Sequence, residues 1–562
     1  MAAIFSASQL SLICSKPSGP CSMVLVLADD ASSCSDEDIQ CGSCHDSDSD
    51  RPVALTLSGC PSGKASAAIH VSDSDSDGPL ALQAGERSRG DMLSGIREPT
   101  RHPRGEMHAK SQCRGHPVEG QAECFGWAEE SFRILLHVSG ESLYQKLGKK
   151  RWTASTYFSG LGTAELAMDM LRAAFPVFAR APFFLEAVSA CEKRRSLQDV
   201  LLQRTSGCVF GDIFDRLSGI ESKTLPVGEF EKQLADCIVA DGQYCLQHKT
   251  MCRAPSALIS IAGTPCRPWS IANRGVQRHS QHEDMKVFLA WARIMRHDQP
   301  TLIIHENVVA FDDRLLLRVL GDLYEIVYCL RVSPSDAGFG FVRRDRKYHL
   351  LALKSSKVSC SRVYDIYSLL VAGLVKNVGP WYEWVWRASL AELDEEFAVC
   401  SQRKSDSATK ALGGSSRWRS LLTACQAEYL DRYIAMWQTK HVQRPEETPS
   451  CVFDLGDAPE YRGVPTILQL RTLRLRHSIL WSPLHGRWMT RREKAACMGF
   501  PVYDDLARKA RVPLDVSTVK CSAAIGNAMH VANIGTVLLA TMFSIDWPMP
   551  PQPSRAGGHP NE

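Results

Sequence analysis

Ile259-Ser260-Ile261-Ala262-Gly263-Thr264-Pro265-Cys266-Arg267-Pro268-Trp269-Ser270 is the stretch on which the reading of the fold turns. Its β-branched and apolar start reads as a buried strand that breaks at Gly263. Cys266 then falls just past the strand end, in a loop stiffened by Pro265 and Pro268. In open α/β sheets, ligands bind beyond the carboxyl ends of the strands. A proline fixes its own backbone and so aims the side chain that follows. Taken alone, a Pro-Cys pair is more often a structural cysteine in a turn, so its neighbours along the chain must decide.

Working outward, strand and helix patterns alternate from about residue 126. Residues 153–159, 183–189, 208–213, 257–262, 301–304 and 348–353 read as strands. Residues 163–175, 285–295 and 532–543 read as helices. This alternation predicts an α/β fold with a mostly parallel, doubly wound sheet. Residues 355–480 break the rhythm with several tryptophans, the loop Gly413-Gly414-Ser415-Ser416 and one helix near 421–437, and read as an inserted second domain. The expected division is therefore a disordered leader over 1–125, a catalytic domain over 126–354, the insertion over 355–480, a return over 481–545 and a disordered tail over 546–562.

The leader is rich in Ser, Asp, Gly and Pro and repeats Ser-Asp pairs at 46–50 and 72–77, a composition that cannot offset its ordering entropy. Residues 1–150 hold 14 Lys+Arg against 20 Asp+Glu, whereas the rest hold 51 against 42. An acidic leader on a mildly basic body permits nucleic-acid binding. The first thirty residues make a poor secretory signal, and no run of about twenty apolar residues suggests a membrane span. The 21 cysteines are accordingly read as reduced thiols. Cys41-Gly42-Ser43-Cys44 has half the spacing of a zinc site, and Cys245, His248 and Cys252 cluster before the key strand. Both are read as thiols in loops, and no metal is expected.

Four further groups carry chemistry. Phe158-Ser159-Gly160-Leu161-Gly162 joins a strand to a helix, where glycines admit a ligand close to a helix N-terminus. Glu192 follows the second strand and suits the two hydroxyls of a ribose; Asp212 follows the third and suits an adenine amino group. His305-Glu306-Asn307 follows an apolar run, where partial burial favours a protonated carboxyl. Arg343-Arg344-Asp345-Arg346 precedes a strand, and Gly526-Asn527 precedes the last helix.

In this order the chain resembles the DNA (cytosine-5)-methyltransferase family. The resemblance runs through Phe158, Gly160, Gly162, Glu192, Asp212, Pro265, Cys266, Glu306, Asn307, Val308, Arg344, Arg346, Arg487, Thr490, Glu493, Gly499, Phe500, Pro501, Gly526 and Asn527, and spans about residues 150–545. It implies a Rossmann-like S-adenosylmethionine-dependent methyltransferase sheet with an inserted target-recognition domain. It also implies a cofactor site at Phe158, Gly160, Gly162, Glu192, Asp212 and Asn527, and catalysis by Cys266, Glu306, Arg344 and Arg346. Cys266 would attack C6 of a flipped cytosine, its thiol acidified by Arg267 and by a helix starting after Trp269. Glu306 would protonate N3, Arg346 would hold O2 and Arg344 would position the loop. The insertion would grip DNA through Arg, Lys and Trp side chains.

The family implies DNA as partner, a monomer away from membranes and a nuclear location. Two alternatives stand beside this reading: an RNA-acting relative, whose Cys-Phe-Thr tripeptide is absent here, and an inactive DNA-binding scaffold. Thr163, Thr264, Arg267 and Trp269 depart from the family pattern. The arginine motif is one residue short between Gly340 and Arg344, so whether Arg346 still reaches the site is the question that the sequence poses.

Overall fold

The computed structural model describes residues 117–547 apart from 119, 139–141, 221–223, 271–280, 402–413, 442, 463–468, 474–478 and 507–523. All of these fall within one compact unit, Asp91–Glu562. The Ser-Asp repeats, Cys41, Cys44 and the tail from 548 lie outside the described residues. Packed chain begins before residue 126: Gln121–Cys124 is helical, and Cys124 and Phe125 are buried.

Nine strands form the central sheet: β1 Trp152–Tyr157, β2 Leu185–Cys191, β3 Cys208–Phe210, β4 Gly242–Cys245, β5 Thr250–Arg253, β6 Ile259–Gly263, β7 Leu302–Val308, β8 Tyr324–Val332 and β9 Arg346–Leu353. Their order across the sheet is β8-β9-β7-β6-β1-β2-β3-β4-β5. The five central strands β7, β6, β1, β2 and β3 are parallel, and the edge pairs at both ends are antiparallel. Strand order reverses between β1 and β6, which makes their carboxyl ends the topological switch point.

Alternation along the strands explains their near-continuous apolar runs. Ile261, Ile304 and Leu350 enter one core, and Ala262, Ile303 and Leu351 enter the other. A sheet covered on both faces needs apolar residues at successive positions. The helices α1 Trp127–Val138, α2 Thr163–Ala179, α4 Val363–Leu374 and α6 Val531–Ser544 supply the first core, and α3 Asp284–Asp298 supplies the second. Every residue of α6 is buried. The stretch Ala524–Ser544 is long and apolar enough to cross a membrane, a run that the sequence hid behind Asn527, His530 and Asn533. Its burial against protein accounts for its apolarity.

A third core lies in the second lobe. Helix α5, Ala424–Lys440, starts at a capping box in which Thr423 and Gln426 satisfy each other's backbone N–H groups. Its Tyr433 stacks on Phe453 at 5.1 Å, while Trp418 meets Trp488 edge-on at 4.8 Å. Helix α4, Trp381 and Trp386 pack into the first core, as do Val452, Leu470, Leu473 and Leu480. Trp418, Trp437, Trp481 and Trp488 are likewise buried. These four rings fill the third core, whereas Trp384 is half-buried.

Candidate active site

The loop after β1 is shaped by its backbone. Phe158, Gly160 and Gly162 have φ of +59°, +56° and +70°. Glycine adopts this region freely, whereas a bulky residue there is strained and marks a functional loop. Gly162 caps α2. Behind the loop, Thr156 bonds to Ser159 Oγ at 2.7 Å and to buried Glu165, whose carboxyl burial raises above its usual range. Glu192, at the end of β2, takes Gly160 N–H on Oε2 and Arg194 N–H on Oε1, each at 2.9 Å. An open cleft is lined by Phe158, Gly160 and Glu192 together with Pro265, Glu306 and Asn527. A Cβ on Gly160 would have only Phe158 O nearby, at 3.9 Å, so the backbone there is open to close approach by a ligand.

Asp212 stands apart from this lining. Its Oδ1 accepts Phe214 N–H at 3.2 Å and its Oδ2 pairs with Lys193 at 2.9 Å.

On the other side of the switch point, Pro265-Cys266 follows β6 as the sequence predicts. Cys266 is half-buried, and its carbonyl accepts N–H bonds from Trp269 and Ser270 at 3.1 and 3.0 Å, one turn of helical backbone. Burial pushes its thiol up, and Arg346 opposes that shift. Arg267 forms a two-bond pair with Asp284 at 2.7 and 2.6 Å. The cations that lower the Cys266 thiol are Arg346 first and Arg344 after it.

Glu306 lies within β7 rather than after it, opposite Gly263 and Tyr348. Burial raises its carboxyl, while Arg346 and Arg344 pull the other way. Arg346 Nε reaches Glu306 Oε1 at 3.1 Å. The short arginine segment therefore still delivers Arg346 to the site. Val342 and Leu470 pair in parallel, and Thr472 Oγ1 donates to Arg343 O at 2.7 Å, which braces the segment from outside. A Cβ on Gly263 would come within 2.8 Å of Met529 Cε and 3.1 Å of Glu306 Oε2, so a side chain there would push on the tip of Met529 and crowd the carboxyl.

Residues 249–328 match the family model of the C-5 cytosine-specific DNA methylase. No curated protein matches the chain. Among solved structures it is similar to a prophage-encoded E. coli protein assigned as a DNA modification methyltransferase, with 14% identity over 69% of this chain and 98% of that one and a TM-score of 0.37. It is similar as well to the S. pombe Dnmt2 methyltransferase and the Entamoeba histolytica methyltransferase EhMeth, each with 14% identity over 70% of this chain and 98% of theirs and a TM-score of 0.32.

Arg344 is a brace. It is buried, and its guanidinium donates to the carbonyls of Leu473, Gly526 and Ala528 at 3.1, 3.2 and 2.6 Å. Burial and the neighbouring Arg346 lower it to about 9. These bonds set Asn527 against the cleft. Arg487, Thr490 and Glu493 are also structural here: Arg487 and Glu493 form a buried pair with two bonds of 2.8 Å, and Thr490 caps the helix Arg491–Cys497.

Sequence reasoning missed a buried polar chain beneath the cysteine loop. Asn307 Nδ2 donates to Thr264 O and Oγ1 at 3.2 and 3.0 Å. Thr264 Oγ1 meets His305 Nε2 at 2.8 Å, His305 faces His349 at 3.4 Å, and His349 bonds to Asp313 at 2.8 Å. Burial holds His305 well below its ordinary value, so it is neutral. Thr264, a departure from the family pattern, is the residue that ties the loop to this chain.

Proposed function

We propose that the protein transfers a methyl group from S-adenosylmethionine to C5 of cytosine in DNA, through a covalent bond between Cys266 Sγ and C6. The observation that carries this reading is the single cleft linking the glycine loop and Glu192 to Pro265 and Glu306, with Arg346 on Glu306. A base buried in a duplex cannot reach such a site, so the cytosine enters flipped, at a cost of a few kcal/mol.

C5 of cytosine is a weak nucleophile. Cys266 thiolate adds to C6, and the electron pair of the 5,6 double bond moves into the ring, leaving an enamine rich in electrons at C5. Glu306 donates its proton to N3 as that charge develops. Its Oε1 is held by Arg346, which leaves Oε2 for the proton. Arg346 also steadies O2. S-adenosylmethionine, when bound, supplies a methyl group on a good leaving group, which C5 takes up. A solvent water takes the C5 proton, the C5–H electron pair restores the 5,6 double bond, the C6–S bond breaks with its pair on Cys266, and Glu306 recovers its proton from N3. The loop at Phe158, Gly160 and Gly162 cradles the cofactor, Glu192 accepts bonds from its hydroxyls, and Asn527 closes the far rim.

Methyl transfer from labelled S-adenosylmethionine to DNA and RNA oligonucleotides tests this. Labelled 5-methylcytosine in DNA, absent with Cys266→Ala, is expected. Label in RNA alone moves the substrate to RNA, and no label in either, with cofactor still bound, leaves a scaffold. Calorimetry on Glu192→Ala is expected to show cofactor binding weaker by about tenfold to a hundredfold, the worth of a hydrogen bond to a charged group; unchanged affinity removes Glu192 from the site.

A further inference from the structure

We propose that Cys208, Cys245, His248 and Cys252 form a structural zinc site that clips the edge hairpin β4-β5 to the sheet. Their ligand atoms all lie within 4.8 Å of one another. His248 Nδ1 stands 3.6, 3.4 and 3.5 Å from the sulfurs of Cys208, Cys245 and Cys252. Zinc bonds of about 2.3 Å to sulfur and about 2.0–2.1 Å to nitrogen, at the tetrahedral angle, put S and N about 3.5 Å apart. The three distances match that edge.

Hydrogen bonding does not explain the convergence. A neutral imidazole Nδ1 has one in-plane position, as donor or acceptor, and serves one thiol well rather than three. No disulfide uses these sulfurs, since all three cysteines are free. The set is wholly sulfur and nitrogen without a carboxylate, which selects zinc over magnesium or calcium. Four protein ligands close the coordination sphere, the mark of a structural rather than a catalytic zinc. On binding, the three thiols release their protons to solvent and hold the ion as thiolates.

The topology shows what such an ion does. Cys208 lies on β3, Cys245 ends β4, His248 sits in the turn and Cys252 lies on β5. The hairpin is the outer edge of the sheet and touches β3 at one register pair, Phe210 with Cys245. Tyr244 and Met251 on it are exposed, so apolar packing holds it weakly. Gln243, inside β4, donates to Asp212 O at 2.8 Å and Asp215 at 3.2 Å. A metal at the hairpin therefore steadies the Asp212 loop as well. The spacing Cys245-x-x-His248-x-x-x-Cys252 is visible in the sequence; the fourth ligand comes from a distant strand and is not.

The test is metal analysis and zinc X-ray absorption on the full chain, expressed with added zinc and purified without a metal-affinity step. About one zinc per chain is expected, with about three sulfurs at about 2.3 Å and one nitrogen at about 2.0 Å. Cys208→Ser and Cys252→Ser should each lose at least tenfold in zinc content, whereas His248→Cys should keep the ion with four sulfurs around it. Cys41→Ser/Cys44→Ser should keep it unchanged. Chain free of zinc, or zinc retained in Cys245→Ser/Cys252→Ser, overturns the proposal, as does loss of zinc on changing Cys41 and Cys44.

Discussion

The loops at the switch point and the second lobe are built on opposite principles. Around Cys266, buried polar groups fix the backbone: Asn307 on Thr264, Thr264 on His305, and Arg344 on three carbonyls. In the second lobe, ring packing such as Tyr433 on Phe453 does most of the holding, and surface pairs such as Arg419 with Asp431 stand beside a buried one, Arg491 with Glu396. A buried polar group left without its partner costs about 1–3 kcal/mol. An exposed pair contributes about 0–1 kcal/mol. The site thus uses interactions that tolerate no displacement, and the lobe uses ones that tolerate much.

The largest expected effect lies in the site. Glu306→Gln should lower kcat/KM about 10²–10⁴-fold, the range for a lost general acid. Its pH profile sharpens the point. Burial raises both Glu306 and Cys266. Activity that needs a protonated Glu306 and a Cys266 thiolate rises with pH through the lower of the two pKa values and falls above the higher. Glu306→Gln removes the carboxyl's ionisation and with it the falling limb, so its activity should rise to the thiol's pKa and stay level where the wild type falls. Parallel profiles would break the assignment of Glu306.

Next in size, Phe453→Ala should cost about 3–5 kcal/mol by leaving a cavity in the lobe, read by urea unfolding. Hydrogen exchange should rise in the lobe and leave β6 and β7 protected. Asn307→Ala should cost about 1–3 kcal/mol through the bonds lost to Thr264 and lower kcat more than it raises KM. Equal stability with unchanged kcat would remove the distinction drawn between the two regions. Arg419→Ala should move stability by no more than about 1 kcal/mol, and a larger loss would show that the lobe relies on its surface charges.

What the sequence shows and hides follows the same division. β1, β6 and β7 were legible because strands buried on both faces must be apolar throughout, and Gly263 and Pro265 punctuate the turn. Glu306 was expected past the strand end, since a carboxylate interrupts the apolar run, yet pairing with Gly263 and Tyr348 keeps it inside β7. The chain Thr264-His305-His349-Asp313 joins residues on four separate segments, and no local spacing reveals it. The same holds for Asp284, which takes up the Arg267 charge. The tryptophans of the insertion suggested a grip on bases, but composition does not say which way a ring points. The shortened arginine segment is rescued by Leu470 and Thr472, far along the chain.

Covalent trapping on oligonucleotides carrying 5-fluorocytosine tests the central claim most directly. Fluorine at C5 cannot leave as a proton does, so the bond from Cys266 to C6 persists once the methyl group has been transferred. With S-adenosylmethionine present, a stable protein–DNA adduct is predicted, with the peptide containing Cys266 as its point of attachment and no adduct for Cys266→Ala. DNA binding without any adduct, or an adduct that survives Cys266→Ala, would contradict the account.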